Sequence, residues 1–221
     1  MTMNKEAAAL WAKAAKEMAP ETVAKIDSGI ALMVEGKVPY TPLEPGASAP
    51  DFILSNQHGE ARRLSDALAQ GPVILFFYRG AWCPFCNIQL KHYQEAKAEF
   101  AKFGAQLIAV TPETPDHGLA IAEKHRLDFD ILHDADDAVG ESYGVTVRVP
   151  KAHEEVLQSF GVPLPDRNGT DNWTLPVPGV FIIGHDGVVK NTFVEANYRA
   201  RAEPPRILAA LEALSAPVVA P

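Results

Sequence analysis

The chain has 221 residues, 47% of them hydrophobic and 22% charged, a composition typical of a globular protein long enough for one large domain or one domain with an appendage. Acidic residues outnumber basic ones by 28 to 20, and the net charge of −8 argues against nucleic acid as a partner. The longest apolar stretch, residues 72–78, is far shorter than the roughly 20 residues of a membrane-spanning helix, so no membrane partner is expected.

The first 20 residues contain several lysines and glutamates, so the apolar segment of a secretory signal is not expected and a cytoplasmic location is the default prediction. The only two cysteines are too few for a disulfide framework or a four-cysteine zinc site. Asp134, Asp136 and Asp137 are interpreted as helix-capping groups rather than metal ligands. We therefore expect neither a metal nor a cofactor.

The first 38 residues predict a helical hairpin. Apolar residues recur on one face of residues 4–18, and Pro20 suits the first position of a second helix. Such a hairpin is too small to bury a core alone, so it must pack on the main domain or on another chain, as in a homodimer. Because prolines and glycines make residues 37–49 a linker, we divide the chain into a hairpin of residues 1–38 and a main domain of residues 46–215.

From residue 50 onward, strand and helix patterns alternate. Two short strands and a short helix are predicted at residues 51–54, 61–63 and 64–69. Apolar runs predict strands at residues 73–78, 106–110, 129–132 and 180–183, and helical spacing predicts helices at residues 84–103 and 114–126. Residues 150–178 are predicted to be largely irregular, with a short helix at 154–160. A β-hairpin ending at residue 193 and a helix at 204–214 follow. This order predicts an α/β fold, with a mixed central sheet flanked by helices.

The two cysteines are the most informative feature of the sequence, because they stand three residues apart just after the buried strand. Cys83 is expected at the N-cap of the next helix, Pro84 at its first position and Cys86 one turn inside. Free amide groups and the positive end of the helix dipole favour a thiolate there. Arg79 would add positive charge, and Trp82 would form part of an apolar rim. The spacing predicts a redox pair that cycles between dithiol and disulfide.

Several segments of residues 46–215 are similar, in order, to those of one known family. They are Ala49-Pro50-Asp51-Phe52, Phe76-Phe77-Tyr78, Thr111-Pro112, Leu132-His133-Asp134-Ala135-Asp136, Tyr143-Gly144-Val145 and Pro178-Gly179-Val180-Phe181-Ile182-Ile183. With them the main domain resembles the peroxiredoxin-like branch of the thioredoxin-fold superfamily, the group of alkyl hydroperoxide reductase and thiol-specific antioxidant domains. The resemblance implies a thioredoxin-like fold and a peroxidase activity.

The same alignment shows where the chain departs from that family. The family motif Pro-x-x-x-Thr-x-x-Cys places its proline on Arg79, its threonine on Cys83 and its peroxidatic cysteine on Cys86. Its later active-site arginine falls on Pro178, where the Val177-Pro178 pair resembles the cis-proline of thioredoxins. The site therefore combines a peroxiredoxin frame with a thioredoxin-type Cys-Pro-Phe-Cys.

Two assignments of the nucleophile follow from the two resemblances. In the thioredoxin assignment, Cys83 attacks because it is nearer the helix end and more exposed, and Cys86 resolves. In the peroxiredoxin assignment, Cys86 takes the peroxide oxygen and Cys83 condenses with the sulfenic acid. Both end at the same disulfide and need a thiol reductant such as a thioredoxin- or glutathione-type donor. Arg79 could replace the missing arginine by stabilising the thiolate or the leaving oxygen.

Three functions are consistent with this reasoning. The leading prediction is a thiol-dependent antioxidant enzyme that reduces hydrogen peroxide or organic hydroperoxides. The first alternative is a thiol–disulfide oxidoreductase that acts on protein or small-molecule disulfides. The second is a redox-sensing interaction protein with little turnover. The scaffold favours the peroxidase, whereas the substituted site favours the oxidoreductase.

Overall fold

The computed structural model describes residues 1–215. Its helices are α1 (Met3–Glu17), α2 (Pro20–Val34), α3 (Leu64–Leu68), α4 (Pro84–Ala101), α5 (Pro115–His125), α6 (Ala138–Ser142), α7 (Lys151–Ser159), α8 (Leu164–Asn168) and α9 (Pro204–Ser215). Its strands are β1 (Ile53–Asn56), β2 (Ala61–Arg63), β3 (Val73–Phe77), β4 (Gln106–Thr111), β5 (Asp130–His133), β6 (Thr146–Arg148), β7 (Thr174–Pro176), β8 (Gly179–Ile183) and β9 (Val189–Val194). No helix in this part of the chain combines the length and apolar character needed to cross a membrane.

The central sheet has the strand order β2-β1-β5-β4-β3-β8-β9. Strands β3, β4 and β5 are parallel, whereas β8 pairs antiparallel with β3 on the other side. The predicted mixed sheet flanked by helices is therefore confirmed. Because β3 and β4 are parallel neighbours, the loops that follow them emerge at the same edge of the sheet, and this edge carries the cysteines.

Strand β3 is buried on both faces of the sheet. The side chains from Ile74 to Tyr78 at alternate positions enter one apolar cluster, and those from Val73 to Phe77 enter another. This alternation follows from the two-residue period of a strand, and it explains why the segment is a continuous apolar run. Helix α4 covers the first cluster, so its N-terminus lies where β3 ends.

The two N-terminal helices pack on different parts of the chain. Helix α1 lies against α4, and α2 lies against α7. Arg199 joins them to the segment before α9: its guanidinium lies 3.5 Å from the ring centre of Trp11 and 2.6 Å from the Asp27 carboxylate. The helices agree closely with the predicted ones, while the division into domains of residues 1–38 and 46–215 stays a prediction.

Residues 150–178 are more regular than the sequence predicts. They contain α7, α8 and β7, and β7 pairs antiparallel with β6 in a separate small sheet. Their apolar cluster is small: Leu164 and Leu175 are buried in it, and Trp173 and Trp82 pack against it. The prolines that indicated irregular structure here stand at helix starts and strand ends instead, positions that tolerate proline.

The capping interpretation of the acidic residues 134–137 is confirmed for Asp134. Its carboxylate accepts hydrogen bonds from the backbone amides of Val139 (3.2 Å) and Gly140 (2.9 Å) in the first turn of α6. Burial raises the pKa of Asp137 to about 7, and the hydroxyl of Thr174 donates a hydrogen bond to its carboxylate.

Candidate active site

The turn between β3 and α4 places Cys83 at the N-cap of α4, as predicted, with Pro84 at the first helical position. The Cys83 carbonyl oxygen accepts hydrogen bonds from the amides of Cys86 (3.0 Å) and Asn87 (3.1 Å). Gly80 has a φ of +143°, and a Cβ there would come within 2.9 Å of Glu113 Cδ and closer to Trp82. The turn therefore needs glycine, and it sets both sulfurs at the amino end of a helix dipole.

Both cysteines are reduced and buried, with exposed fractions of 1% for Cys83 and 0% for Cys86. The expected difference in exposure between the two thiols is therefore negligible, because Trp82 and Tyr198 pack against the apolar cluster that contains both sulfurs. Phe85, which follows Pro84, is buried in that cluster too. Access to the pair is consequently restricted.

Arg79 lies beside the cysteines, as the sequence predicts. Its Nη1 is 4.0 Å from Cys83 Sγ. The guanidinium is sandwiched between rings, since its Cζ lies 4.0 Å from the ring centre of Tyr198 and 4.8 Å from that of Trp82. These cation–π contacts hold a buried positive charge beside the thiol.

Arg201, which the sequence analysis did not select, contacts the second cysteine. Its Nη2 is 3.5 Å from Cys86 Sγ, and only 5% of the residue is exposed. Its Nε donates to the Gln89 side-chain oxygen (2.9 Å), and its Nη1 donates to the carbonyls of Tyr198 and Ala200. Each sulfur thus has a guanidinium of its own.

The two thiols differ in proton affinity. Burial alone would raise the pKa of Cys83, but a hydrogen bond from Cys86 and the charges of Arg79 and Arg201 outweigh burial and lower that pKa to about 5. Burial, the hydrogen bond that it donates and the neighbouring negative charge hold the pKa of Cys86 well above its ordinary value. The surroundings therefore favour ionisation of Cys83 over ionisation of Cys86.

Glu113 braces the turn from the end of the adjacent strand. Its fully buried carboxylate accepts hydrogen bonds from the Ala81 amide and from Arg167 Nε (3.0 Å) and Nη2 (2.6 Å). Burial raises the pKa of Glu113, although these partners oppose that shift. The carboxylate links the cysteine turn to α8.

We expect Glu113→Ala to lower the free energy of unfolding by about 3 kcal/mol, because it leaves the Ala81 amide without its acceptor and the Arg167 guanidinium without its counter-charge. Glu113→Gln should cost less, since an amide oxygen can still accept from Ala81. Glu99→Ala, which removes an exposed ion pair with Lys102, is the matched control and should change stability by less than about 1 kcal/mol. Urea unfolding measures all three; equal midpoints for the two alanine variants would contradict this role.

Pro178 lies near the site but does not form the predicted thioredoxin feature. All peptide bonds within residues 1–215, including Val177–Pro178, are trans. Pro178 instead lines a cavity of about 40 Å³ together with Arg79, His153 and Tyr198. This volume is far below the roughly 300 Å³ and more of pockets for drug-sized ligands, so only a very small molecule fits beside Arg79.

The structure thus brings Arg79, Trp82 and Pro84 to the cysteine pair, as the sequence suggests, and it adds Glu113 and Arg201. Glu113 could have been selected from the sequence, because it stands just after β4. Since β3 and β4 are parallel neighbours, the residues that follow them lie at the same edge of the sheet. Arg201 could not have been selected from the sequence, because it stands 115 positions from Cys86 and no motif surrounds it.

Comparison with known proteins identifies the family. The family model described as AhpC/TSA matches residues 45–192. Peroxiredoxin Bcp of Escherichia coli K12 is 35% identical over 104 residues, which are 47% of this chain and 66% of that protein. Chloroplastic peroxiredoxin Q of Populus jackii is 28% identical over 127 residues, 56% of this chain and 59% of that protein. The matches thus span about two thirds or less of these relatives.

Solved structures agree. The crystal structure of peroxidoxin BcpB from Mycobacterium tuberculosis superposes with a TM-score of 0.61 and 26% identity, covering 79% of this chain and 99% of that one. The thioredoxin-like fold expected for the main domain is therefore confirmed, and the comparisons do not favour the oxidoreductase or interaction-protein alternatives. The chain belongs to the AhpC/TSA family, the peroxiredoxins of the thioredoxin fold, and is a thiol-dependent peroxidase.

Proposed function

We propose that the chain reduces hydrogen peroxide and small organic hydroperoxides, with Cys83 as the nucleophile and Cys86 as the resolving thiol. The observation that carries this assignment is the asymmetry of the pair. Cys83 stands at the helix N-cap beside Arg79, and its pKa is lowered, while burial and the neighbouring Cys83 raise the pKa of Cys86. Because the thiolate is the reactive form, the geometry favours Cys83 over the cysteine that the family motif aligns with the peroxidatic position.

The chemistry takes place in two steps within one chain. The Cys83 thiolate attacks the terminal peroxide oxygen, the O–O bond breaks, and the alkoxide or hydroxide leaves and takes up a proton, so that Cys83 becomes a sulfenic acid. Cys86 then loses its proton and attacks the Cys83 sulfur, which forms the disulfide and expels the sulfenic oxygen as water. Both thiols belong to one chain, so turnover requires no homodimer.

Burial of the two sulfurs favours a small substrate. A protein disulfide would need a sulfur exposed enough for direct attack, whereas 1% or less of either cysteine is exposed. A hydroperoxide needs only the space of a few atoms. The Cys83–Cys86 disulfide must afterwards open to an external thiol donor of the thioredoxin or glutathione type, and we place the protein in the cytoplasm, where such reductants are maintained.

Stopped-flow tryptophan fluorescence of the fully reduced protein tests the proposal, with Trp82 next to Cys83 as the reporter. Mixed with one equivalent of hydrogen peroxide, the protein should react about thirtyfold faster than a free thiol at pH 7, because nearly all of Cys83 is ionised there and only about 3% of a free thiol is. A bulky aromatic disulfide should react more slowly than peroxide. Peroxide oxidation at the rate of a free thiol, together with fast disulfide exchange, would overturn the proposal.

A further inference from the structure

We propose that Arg201 is a catalytic residue of the resolving step, where it stabilises the Cys86 thiolate that attacks oxidised Cys83, and that the N-terminal helix α1 positions it through Asn4. The inference rests on the proposed function and deepens it. It concerns two segments outside residues 45–192, the range that the family model matches. Arg201 supplies a positive charge at the site, whereas Pro178 occupies the position that aligns with the family's active-site arginine.

The contact with the reacting atom is direct. Arg201 Nη2 is 3.5 Å from Cys86 Sγ, whereas Arg79 Nη1 is 4.0 Å from Cys83 Sγ. Three further hydrogen bonds hold the guanidinium: Nε donates to the Gln89 side chain, and Nη1 donates to the carbonyls of Tyr198 and Ala200. Because these three hydrogen bonds leave the planar guanidinium little freedom to move, Nη2 stays directed at the Cys86 sulfur.

Helix α1 holds the Arg201 backbone from outside. The Asn4 side chain makes a reciprocal pair of hydrogen bonds: its Nδ2 donates to the Arg201 carbonyl and its Oδ1 accepts from the Arg201 amide, both at 2.9 Å. Two residues on, the Glu203 carboxylate accepts from the amides of Met3 (3.1 Å) and Asn4 (2.8 Å) at the start of α1. The N-terminal helix and the arginine segment therefore form one interlocked unit.

The charges around Cys86 change during turnover. In the described part of the chain, the titratable and charged groups that face this thiol are Cys83, Arg79, Arg201 and the Tyr78 phenol. Before oxidation, the Cys83 thiolate keeps Cys86 protonated. A neutral sulfenic acid on Cys83 removes that negative charge, so the positive Arg201 then favours ionisation of Cys86. Oxidation of Cys83 thus favours the thiolate form of Cys86, and the charge of Arg201 stabilises that thiolate.

The test separates the two chemical steps. Reduced wild type, Arg201→Gln and Arg201→Lys are mixed with one equivalent of hydrogen peroxide, quenched over time with a sulfenic-acid trap, and mapped by peptide mass spectrometry. We expect Arg201→Gln to slow disulfide formation at least about tenfold, so that trapped Cys83 sulfenic acid accumulates, while Cys83 oxidation slows less than about threefold. Arg201→Lys should give an intermediate rate of disulfide formation, because an ammonium group keeps the positive charge but lacks the planar set of donors of a guanidinium.

Asn4→Ala tests the positioning role without touching the buried guanidinium. It should slow disulfide formation about threefold or more and move the pH midpoint of this step upward, a change that mere loss of stability does not produce. Arg62→Gln removes an exposed ion pair with Asp130 at the far edge of the sheet and is the matched control, expected to leave both steps unchanged.

Each remaining outcome overturns a definite claim. Cys83 sulfenic acid that resolves at the wild-type rate in Arg201→Gln would overturn the role of Arg201 alone. Equal slowing of both steps would assign Arg201 a structural role and contradict the inference. Sulfenic acid mapped to Cys86 would overturn the proposed nucleophile and, with it, the resolving role of Arg201.

Discussion

Replacing Cys83 by serine is expected to slow reaction with hydrogen peroxide by at least about a thousandfold, whereas Cys86→Ser should retain rapid oxidation of Cys83 and lose turnover. The reason is that the lowered pKa of Cys83 makes it the thiol that ionises at neutral pH, whereas a serine hydroxyl does not, so the proposed nucleophile is lost. In Cys86→Ser the nucleophile remains, but no thiol is left to condense with the sulfenic acid. Trapping followed by mass spectrometry measures which cysteine is oxidised and how fast.

The two serine variants are each other's control, because both remove one buried sulfur and change the side-chain volume by the same amount. Serine at position 86 also removes the hydrogen bond from the Cys86 thiol to Cys83, although the hydroxyl can donate in its place. If sulfenic acid accumulates in Cys83→Ser and not in Cys86→Ser, the assignment is reversed. Cys86, which the family motif aligns with the peroxidatic position, would then be the nucleophile.

The sequence predicted the elements around the cysteines well because each rests on local information. The apolar run of β3, the proline at the first position of α4 and the three-residue spacing of the thiols are all readable within about 15 residues. The glycine-containing turn before Cys83 follows from the same stretch. The position of Cys83 at the helix N-cap therefore follows from local sequence alone.

What the sequence did not predict depends on contacts between distant segments. The burial of Cys83 arises because Tyr198 and Trp82 pack against the cluster that contains both sulfurs, and Tyr198 belongs to an irregular segment with no periodicity. Arg201 lies beside Cys86 in a segment whose backbone is hydrogen-bonded to Asn4 of α1, and these two residues are 197 positions apart in the sequence. Such pairings have no signature in a single sequence.

Two guanidinium groups lie beside the cysteines of this chain, which lacks the threonine and arginine of the family motif. Arg79 comes from the position of the family's proline and lies beside the first sulfur; Arg201 comes from beyond the matched region and lies beside the second. The charged neighbours of the two sulfurs therefore come from different parts of the chain. We infer that the chain keeps the peroxiredoxin fold and uses Arg79 to stabilise the Cys83 thiolate in the oxidation step and Arg201 to stabilise the Cys86 thiolate in the resolving step.

The rate of Cys83 oxidation should be nearly independent of pH above about pH 6 and should fall about tenfold per pH unit below pH 5. The pKa of Cys83 is lowered to about 5, so the thiolate predominates above that value and is lost as the pH falls through it. At pH 6 a thiol with a pKa of 5 is about 90% ionised and a free thiol with a pKa near 8.5 about 0.3%, which gives Cys83 an advantage of about 300-fold in thiolate. Stopped-flow measurements with hydrogen peroxide between pH 4 and pH 9 give the profile.

Arg79→Gln should move the midpoint of this profile to higher pH, because the variant removes the positive charge beside Cys83 Sγ that lowers its pKa. The matched control is Arg63→Gln, which breaks an exposed ion pair with Asp51 far from the cysteines and should leave the midpoint in place. A midpoint near 8.5 in the unsubstituted protein would contradict the lowered pKa, because it would mean that burial fully offsets the guanidinium charges and the Cys86 hydrogen bond. An unchanged midpoint in Arg79→Gln would transfer that role to the helix N-terminus and Arg201.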